Sequence, residues 1–184
     1  MKNLVFSFSI LFFSYVSLAN VNGAMTDKNV RYLDASQFPN LPTNVKKVIE
    51  EKKCQVPQTF LSKAAHNVVK GNFANEKSND WAILCSNGKK SSILVVWENG
   101  MPCPSEFAIK EDKDFLQKIN EKEIQYSRYL SSASKETIKD HQKAYGGILP
   151  QKIDHQGIDD AIAEKASVTF YCEKGKWLSL TGAD

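Results

Sequence analysis

Four cysteines set the tightest limit on what this chain can fold into. Cys54, Cys85, Cys103 and Cys172 form an even set, all beyond an N-terminal leader, and no two are spaced C-x-x-C. An even set in an exported chain points to two disulfides. The missing C-x-x-C pairs argue against a zinc ribbon or a thioredoxin-type redox centre. Of the three connectivities, Cys85–Cys103 is disfavoured, because these residues sit at opposite ends of one strand of an expected hairpin. That strand spans roughly 20 Å, whereas a bridge needs Cα atoms within about 7 Å. Cys54–Cys85 with Cys103–Cys172, or Cys54–Cys103 with Cys85–Cys172, remain. The first needs the shorter loops and is preferred.

The leader supplies the compartment. Lys2 precedes an apolar run from Leu4 to Leu18, and Ser17-Leu18-Ala19 offers small residues where a signal peptidase cuts. Residues 1–19 therefore read as a signal peptide with cleavage after Ala19, and Ala24 is a second site. No basic cluster follows to stop transfer, and no cysteine lies near the cut to carry a lipid. The expectation is a periplasmic or secreted protein with no stable membrane insertion after cleavage. Without Lys2 the 24 Lys+Arg become 23, against 21 Asp+Glu, over about 165 residues. So small a net charge gives no reason to expect a nucleic-acid partner.

Residues 20–42 are polar and turn-rich, an extended N-terminal segment punctuated by Pro39 and Pro42. Residues 43–184 read as a single α+β domain. Its clearest element is a hairpin over 81–97, whose loop Asn87-Gly88-Lys89-Lys90 sets Ser86 opposite Ser91. That register puts Trp81, Ile83, Leu94 and Val96 on one face and Ala82, Leu84, Ile93 and Val95 on the other. Both faces are apolar, so the strands are expected to be central and covered on both sides. A second hairpin covers 167–180 around Lys174-Gly175. Strands are expected over 67–73 and 123–131. Helical spacing predicts helices over 43–53, 111–120, 134–145 and 158–165. The fold class expected is thus α+β: an antiparallel sheet packed by three or four short helices, with two disulfides.

Three constellations could carry chemistry. Asp154-His155-Gln156-Gly157-Ile158-Asp159-Asp160 gathers a histidine and three carboxylates, the residue types of acid–base catalysis or a metal site. A turn at Gly157 with acidic residues opening a helix accounts for the same residues without chemistry. Trp81, Trp97 and Trp177 are the flat apolar surfaces that could stack on a sugar or peptide. Trp81 and Trp97 face opposite ways in the hairpin, which leaves Trp177 as the binding candidate. The third is Gly71-Asn72-Phe73 followed by Asp80-Trp81-Ala82-Ile83, which resembles one degenerate FG-GAP (VCBS-type) repeat over about 14 residues. In that family an acidic loop binds calcium. Here Asn72, Ala74 and Asn75 replace the usual ligands and glycine, which leaves Glu76 and Asp80 as weak metal candidates.

Over most of its length the chain also resembles uncharacterised exported bacterial single-domain proteins. The shared marks are the Gly-x-Phe…Asp-Trp-Ala-x-Leu-Cys core, a His-Gln-Gly-Ile-Asp-Asp-Ala segment and a Gly-Lys-Trp-Leu…Thr-Gly-Ala-Asp tail. That resemblance implies one intact domain and no particular activity. G-x-S-x-G, H-E-x-x-H, P-loop and dinucleotide motifs are all missing from the sequence. The reading is an exported, disulfide-stabilised, non-enzymatic binding protein of the envelope, with an inhibitor or immunity-type protein as one form. It needs no cofactor, and its partner would be an envelope or extracellular protein, a peptide or a glycan. The alternative is a hydrolase built on Asp154, His155, Asp159 and Asp160.

Overall fold

The computed structural model describes residues 30–182 except 122, so the leader, the start of the N-terminal segment and the last two residues lie outside the described residues. Twelve strands and two α-helices are present among them. The principal sheet carries β3 (Val68–Gly71), β4 (Asp80–Ser86), β5 (Lys90–Val96) and β6 (Glu106–Glu111) as an antiparallel meander. A second meander carries β9 (Arg128–Ala133), β10 (Gly157–Ile162), β11 (Ser167–Glu173) and β12 (Lys176–Thr181). Two small pairs accompany them, β1 (Arg31–Leu33) with β2 (Val56–Gln58), and β7 (Leu116–Asn120) with β8 (Glu123–Tyr126).

The layers follow from the alternation of β4 and β5. Trp81 opposes Val96, and Ser86 opposes Ser91. Ala82, Leu84, Ile93 and Val95 then face the second sheet, where they pack with Leu130, Ile158, Phe115 and Tyr126. Ile83 and Leu94 face outward onto α1 (Thr43–Glu51), whose Val45 and Ile49 close the outer core. Helix α2 (Lys135–Tyr145) covers the far side of the second sheet through Ile138, beside Ala133, Tyr171 and Leu180. The order of layers is helix, sheet, sheet, helix, and each fully buried aliphatic side chain contributes about 1.5–3 kcal/mol. Helix α2 is capped as its sequence dictates: Ser134 Oγ accepts the Thr137 N–H at 3.0 Å, and Gly146 at φ 74° ends it.

Cys54 pairs with Cys85 and Cys103 with Cys172, at Cα separations of 5.1 and 6.0 Å. The first ties the end of α1 to β4. The second ties the β5–β6 connection to β11, and so joins the two sheets. Sequence separations of 31 and 69 correspond to about 3.5–4.5 kcal/mol each by loop entropy. Two bridges are the mark of an oxidising, non-cytoplasmic compartment. Among the described residues no helix is long and apolar enough to cross a membrane.

The expected fold class needs correction. Among the described residues the chain is mostly β, with two α-helices instead of three or four, and its strands fall into two four-stranded sheets and two pairs. The helix expected over 111–120 is the end of β6, a 3-10 turn at Asp112–Phe115, and β7. Asp112 is buried there and accepts hydrogen bonds from Ser86 Oγ at 2.6 Å and the Tyr126 hydroxyl at 3.0 Å, which holds the turn against β4 and β8. The helix expected over 158–165 is β10 followed by a turn with Glu164 at φ 59°. Ile158, Asp160 and Ile162 face the first sheet in strand alternation, and pairing with both β9 and β11 outweighs the local helical spacing. The strand expected over 123–131 is interrupted at Ser127, so that β8 and β9 join different sheets.

Candidate functional site

Between the two sheets lies a buried polar network. Arg128 is fully buried and all five of its N–H donors are used. Nε and Nη2 bind Asp160 at 2.7 and 3.0 Å, Nη1 reaches the Ser91 hydroxyl and carbonyl, and Nη2 also reaches the Ala108 carbonyl at 2.8 Å. Ala108 sits at φ 50°, in the register shift between β5 and β6, and this bulge turns its carbonyl to the guanidinium. Lys110 adds a second cation to Asp160 at 3.1 Å. Ser91 Oγ and the Tyr126 hydroxyl, 2.8 Å apart, extend the chain to Asp112. Burial, and then the negative charge of Asp112, push the Tyr126 hydroxyl pKa up. Every polar group named has a partner, so the network pins the sheets and offers nothing to a substrate.

The four residues of the Asp/His alternative do not converge. Asp160 belongs to this inter-sheet network, while Asp159 faces the opposite side of β10 and accepts the Thr169 hydroxyl at 2.9 Å. His155 is buried and stacked flat on Tyr171, with ring centroids 4.0 Å apart and planes 6° from parallel. Its Nδ1 lies 2.8 Å from the Gln156 carbonyl and its Nε2 3.0 Å from that of Cys172. Both ring nitrogens are therefore taken up by the backbone. Asp154 accepts from Lys152, and that bond holds its carboxyl below the usual range.

The FG-GAP-like segment forms β3, a loop and the start of β4. Asp80 is fully buried, and its Oδ2 accepts the N–H groups of Phe73 and Ala74, both at 2.9 Å, and the Ser78 hydroxyl at 2.6 Å. Its Oδ1 accepts the Glu98 N–H at 3.0 Å. Glu76 points to Lys135 on α2 instead, at 3.0 Å. The two metal candidates do not share a site, and among the described residues no group of three His, Cys, Asp or Glu could hold a metal ion. A Cβ on Gly71 would collide with the Phe73 ring, which explains the glycine. Asn72 and Gln156 exchange hydrogen bonds at 3.0 and 3.1 Å, so this loop and the His155 segment, 84 positions apart, are stitched together.

Trp177 is half-buried. It stacks on Phe107 at 4.2 Å and on Trp97 at 5.7 Å, and its Nε1–H donates to the Pro104 carbonyl at 2.9 Å. These contacts sit beside the Cys103–Cys172 bridge and fasten the edges of the two sheets, so much of the indole face is already occupied. Sequence reading missed this stack, because its partners come from three separate segments.

Two open features stand out among the described residues. On the α2 side, Tyr129, His141, Asp159, Glu164, Lys165 and Ser167 line a cleft of about 350 Å³. The His141 Nδ1 is buried without a hydrogen-bond partner among the described residues. On the α1 side, three clefts run in series over the outer face of the first sheet. The first, about 230 Å³, is lined by Phe38, Leu41, Val68 and Trp81 among others. The second, about 270 Å³, shares Trp81 and adds Asn44, Lys70, Asn79, Val96 and Glu98. The third, about 350 Å³, shares Val96 and adds Val48, Lys52, Trp97, Met101 and Glu106. Met101 is 69% exposed at its end. Lys52 pairs with Glu106 at 2.9 Å, which lowers the Glu106 carboxyl pKa.

Comparison of the chain with family models, with curated proteins and with solved structures finds no match.

Proposed function

We propose that this chain is an exported binding protein of the periplasm or cell exterior, without catalytic activity of its own, and that it recognises its partner through the α1-side groove. The observation that carries this reading is that the three clefts are neighbours on one face of the first sheet. Trp81 and Val96 are each shared by neighbouring clefts, and apolar walls alternate with a few polar side chains, which is the make-up of ligand sites. Met101, exposed at the end of the third cleft beside Trp97, extends its apolar lining. Two disulfides support the compartment, and the leader supports export. The resemblance to exported bacterial single-domain proteins points the same way.

The test is a thermal-shift screen of the oxidised chain against fractions of an envelope extract. A ligand at 100 times its Kd adds about 2.7 kcal/mol, or about 5–10 °C for a domain of this size. The reading requires an active fraction whose effect is lost in Met101→Asp or Asn44→Lys, both exposed positions lining the groove. A fraction that stabilises the wild type and both variants equally would contradict it.

A further inference from the structure

We infer that Asn99 is a site of spontaneous covalent modification, its carboxamide being converted to a carboxylate through attack by the Gly100 backbone nitrogen, while the fold protects the matching Asn87–Gly88 pair. Asparagine followed by glycine is the sequence most open to this reaction, because glycine has no Cβ to hinder the approach of its nitrogen to the asparagine Cγ. The Gly100 N–H gives its proton to hydroxide, and the nitrogen bonds to Asn99 Cγ. The side-chain nitrogen takes up a proton and leaves as ammonia. Water then opens the five-membered imide at either carbonyl, which yields aspartate or isoaspartate. Water is the only co-reactant, and nothing is oxidised or reduced.

Asn87–Gly88 and Asn99–Gly100 are both exposed, and their glycines stand in open space at φ 84° and 69°. Hydrogen bonding separates them. The Gly88 N–H donates to Ser86 Oγ at 2.9 Å, and Ser86 is itself buried and bound to Asp112. Asn87 Oδ1 accepts the N–H groups of Lys89 and Lys90 at 3.1 and 3.0 Å. Attacking nitrogen and carboxamide are thus both tied into the hairpin turn. At Asn99 neither restraint is present. Its side chain reaches only Glu98, at 3.5 Å, beyond the usual range of a hydrogen bond. Among the described residues no hydrogen bond holds the Gly100 N–H. Conversion sets a new negative charge beside Glu98, at the edge of the clefts that Glu98 and Gly100 line. A third such pair, Asn22–Gly23, lies outside the described residues.

The experiment incubates the oxidised full chain at mildly alkaline pH and follows conversion over time by mass spectrometry. Samples are quenched, reduced and digested with trypsin under mildly acidic conditions. Asn99 is the sole side-chain amide of tryptic peptide 91–110, whereas Asn87 lies in peptide 78–89, where fragmentation separates it from Asn79. The same chain, reduced and unfolded in guanidinium, gives the rates without the fold. The inference expects Asn99 to convert at least tenfold faster than Asn87 in the folded chain, and the two to convert at similar rates when unfolded. Asn99→Gln, whose longer side chain cannot close the five-membered ring, should abolish the mass gain of peptide 91–110. Equal rates in the folded chain, or a faster Asn87, would overturn the inference. A tenfold ratio that persists in guanidinium would also overturn it, because the difference would then come from neighbouring sequence and not from the fold.

Discussion

Replacing Asp160 should cost far more stability than replacing its neighbour Asp159. The Arg128 and Asp160 side chains are 0% and 1% exposed, and the carboxylate takes two of the five guanidinium hydrogens. Asp160→Ala leaves a buried cation without its counter-charge, a loss of about 3–5 kcal/mol. For a domain of about 150 residues that lowers the thermal midpoint by about 6–20 °C. It is a large share of the roughly 5–15 kcal/mol that holds such a domain folded. Asp159→Ala removes one bond from the Thr169 hydroxyl, about 0.5–1.5 kcal/mol. Lys110→Ala removes a partner that is 39% exposed, worth about 1 kcal/mol or less. Urea unfolding of the oxidised chain, followed by tryptophan fluorescence, reads all three. The double change Arg128→Met with Asp160→Leu should regain part of the loss, because it removes both buried charges but leaves the Ser91 and Ala108 acceptors without their donor. Equal losses for Asp159→Ala and Asp160→Ala would refute the assignment of Asp160 to a buried inter-sheet pair.

Asp80→Ala should destabilise by about 3 kcal/mol or more, because four donors lose a buried acceptor. Millimolar calcium or a chelator should leave the thermal midpoint unchanged, since both oxygens of Asp80 are already engaged; a calcium-dependent rise would restore the metal reading of that loop. His66 supplies a pH dependence. Its Nε2 accepts the Thr59 N–H at 2.9 Å and its Nδ1 meets the Ala64 carbonyl, while burial lowers its pKa below 6.5. The neutral ring is favoured in the folded state, so this contribution is complete above pH about 6.5 and is lost as pH falls from there through the lower folded-state value. Denaturation midpoints across pH 4–8 should show that loss, and it should be absent in His66→Gln.

The central hairpin was legible because the Asn87-Gly88 loop and two apolar faces admit one register, and Cys85 and Cys103 fall where only one bridging pattern keeps the loops short. The 158–165 segment was not. Ile158, Ala161 and Ile162 fit a helical stripe, while Ile158, Asp160 and Ile162 fit a strand face equally well. The choice is made by Arg128, 32 positions away, and by the flanking strands. Arg128 did carry a signal: it is one of two arginines in the chain and opens β9 between Tyr126 and Leu130, where a planar five-donor group suits a buried ion pair. The groove left no comparable mark, since its walls come from the N-terminal segment, α1, β3 to β5 and the loop after Trp97.

The most direct test of the account uses the three tryptophans as built-in reporters. Their indole N–H resonances, assigned by single Trp→Phe changes in the oxidised chain, can be followed while a stabilising envelope fraction is added. Binding in the α1-side groove predicts that Trp81 shifts most, Trp97 next, and Trp177, held by the Pro104 carbonyl, least. A response centred on Trp177, or one confined to residues around His141 with Trp81 unmoved, would contradict it.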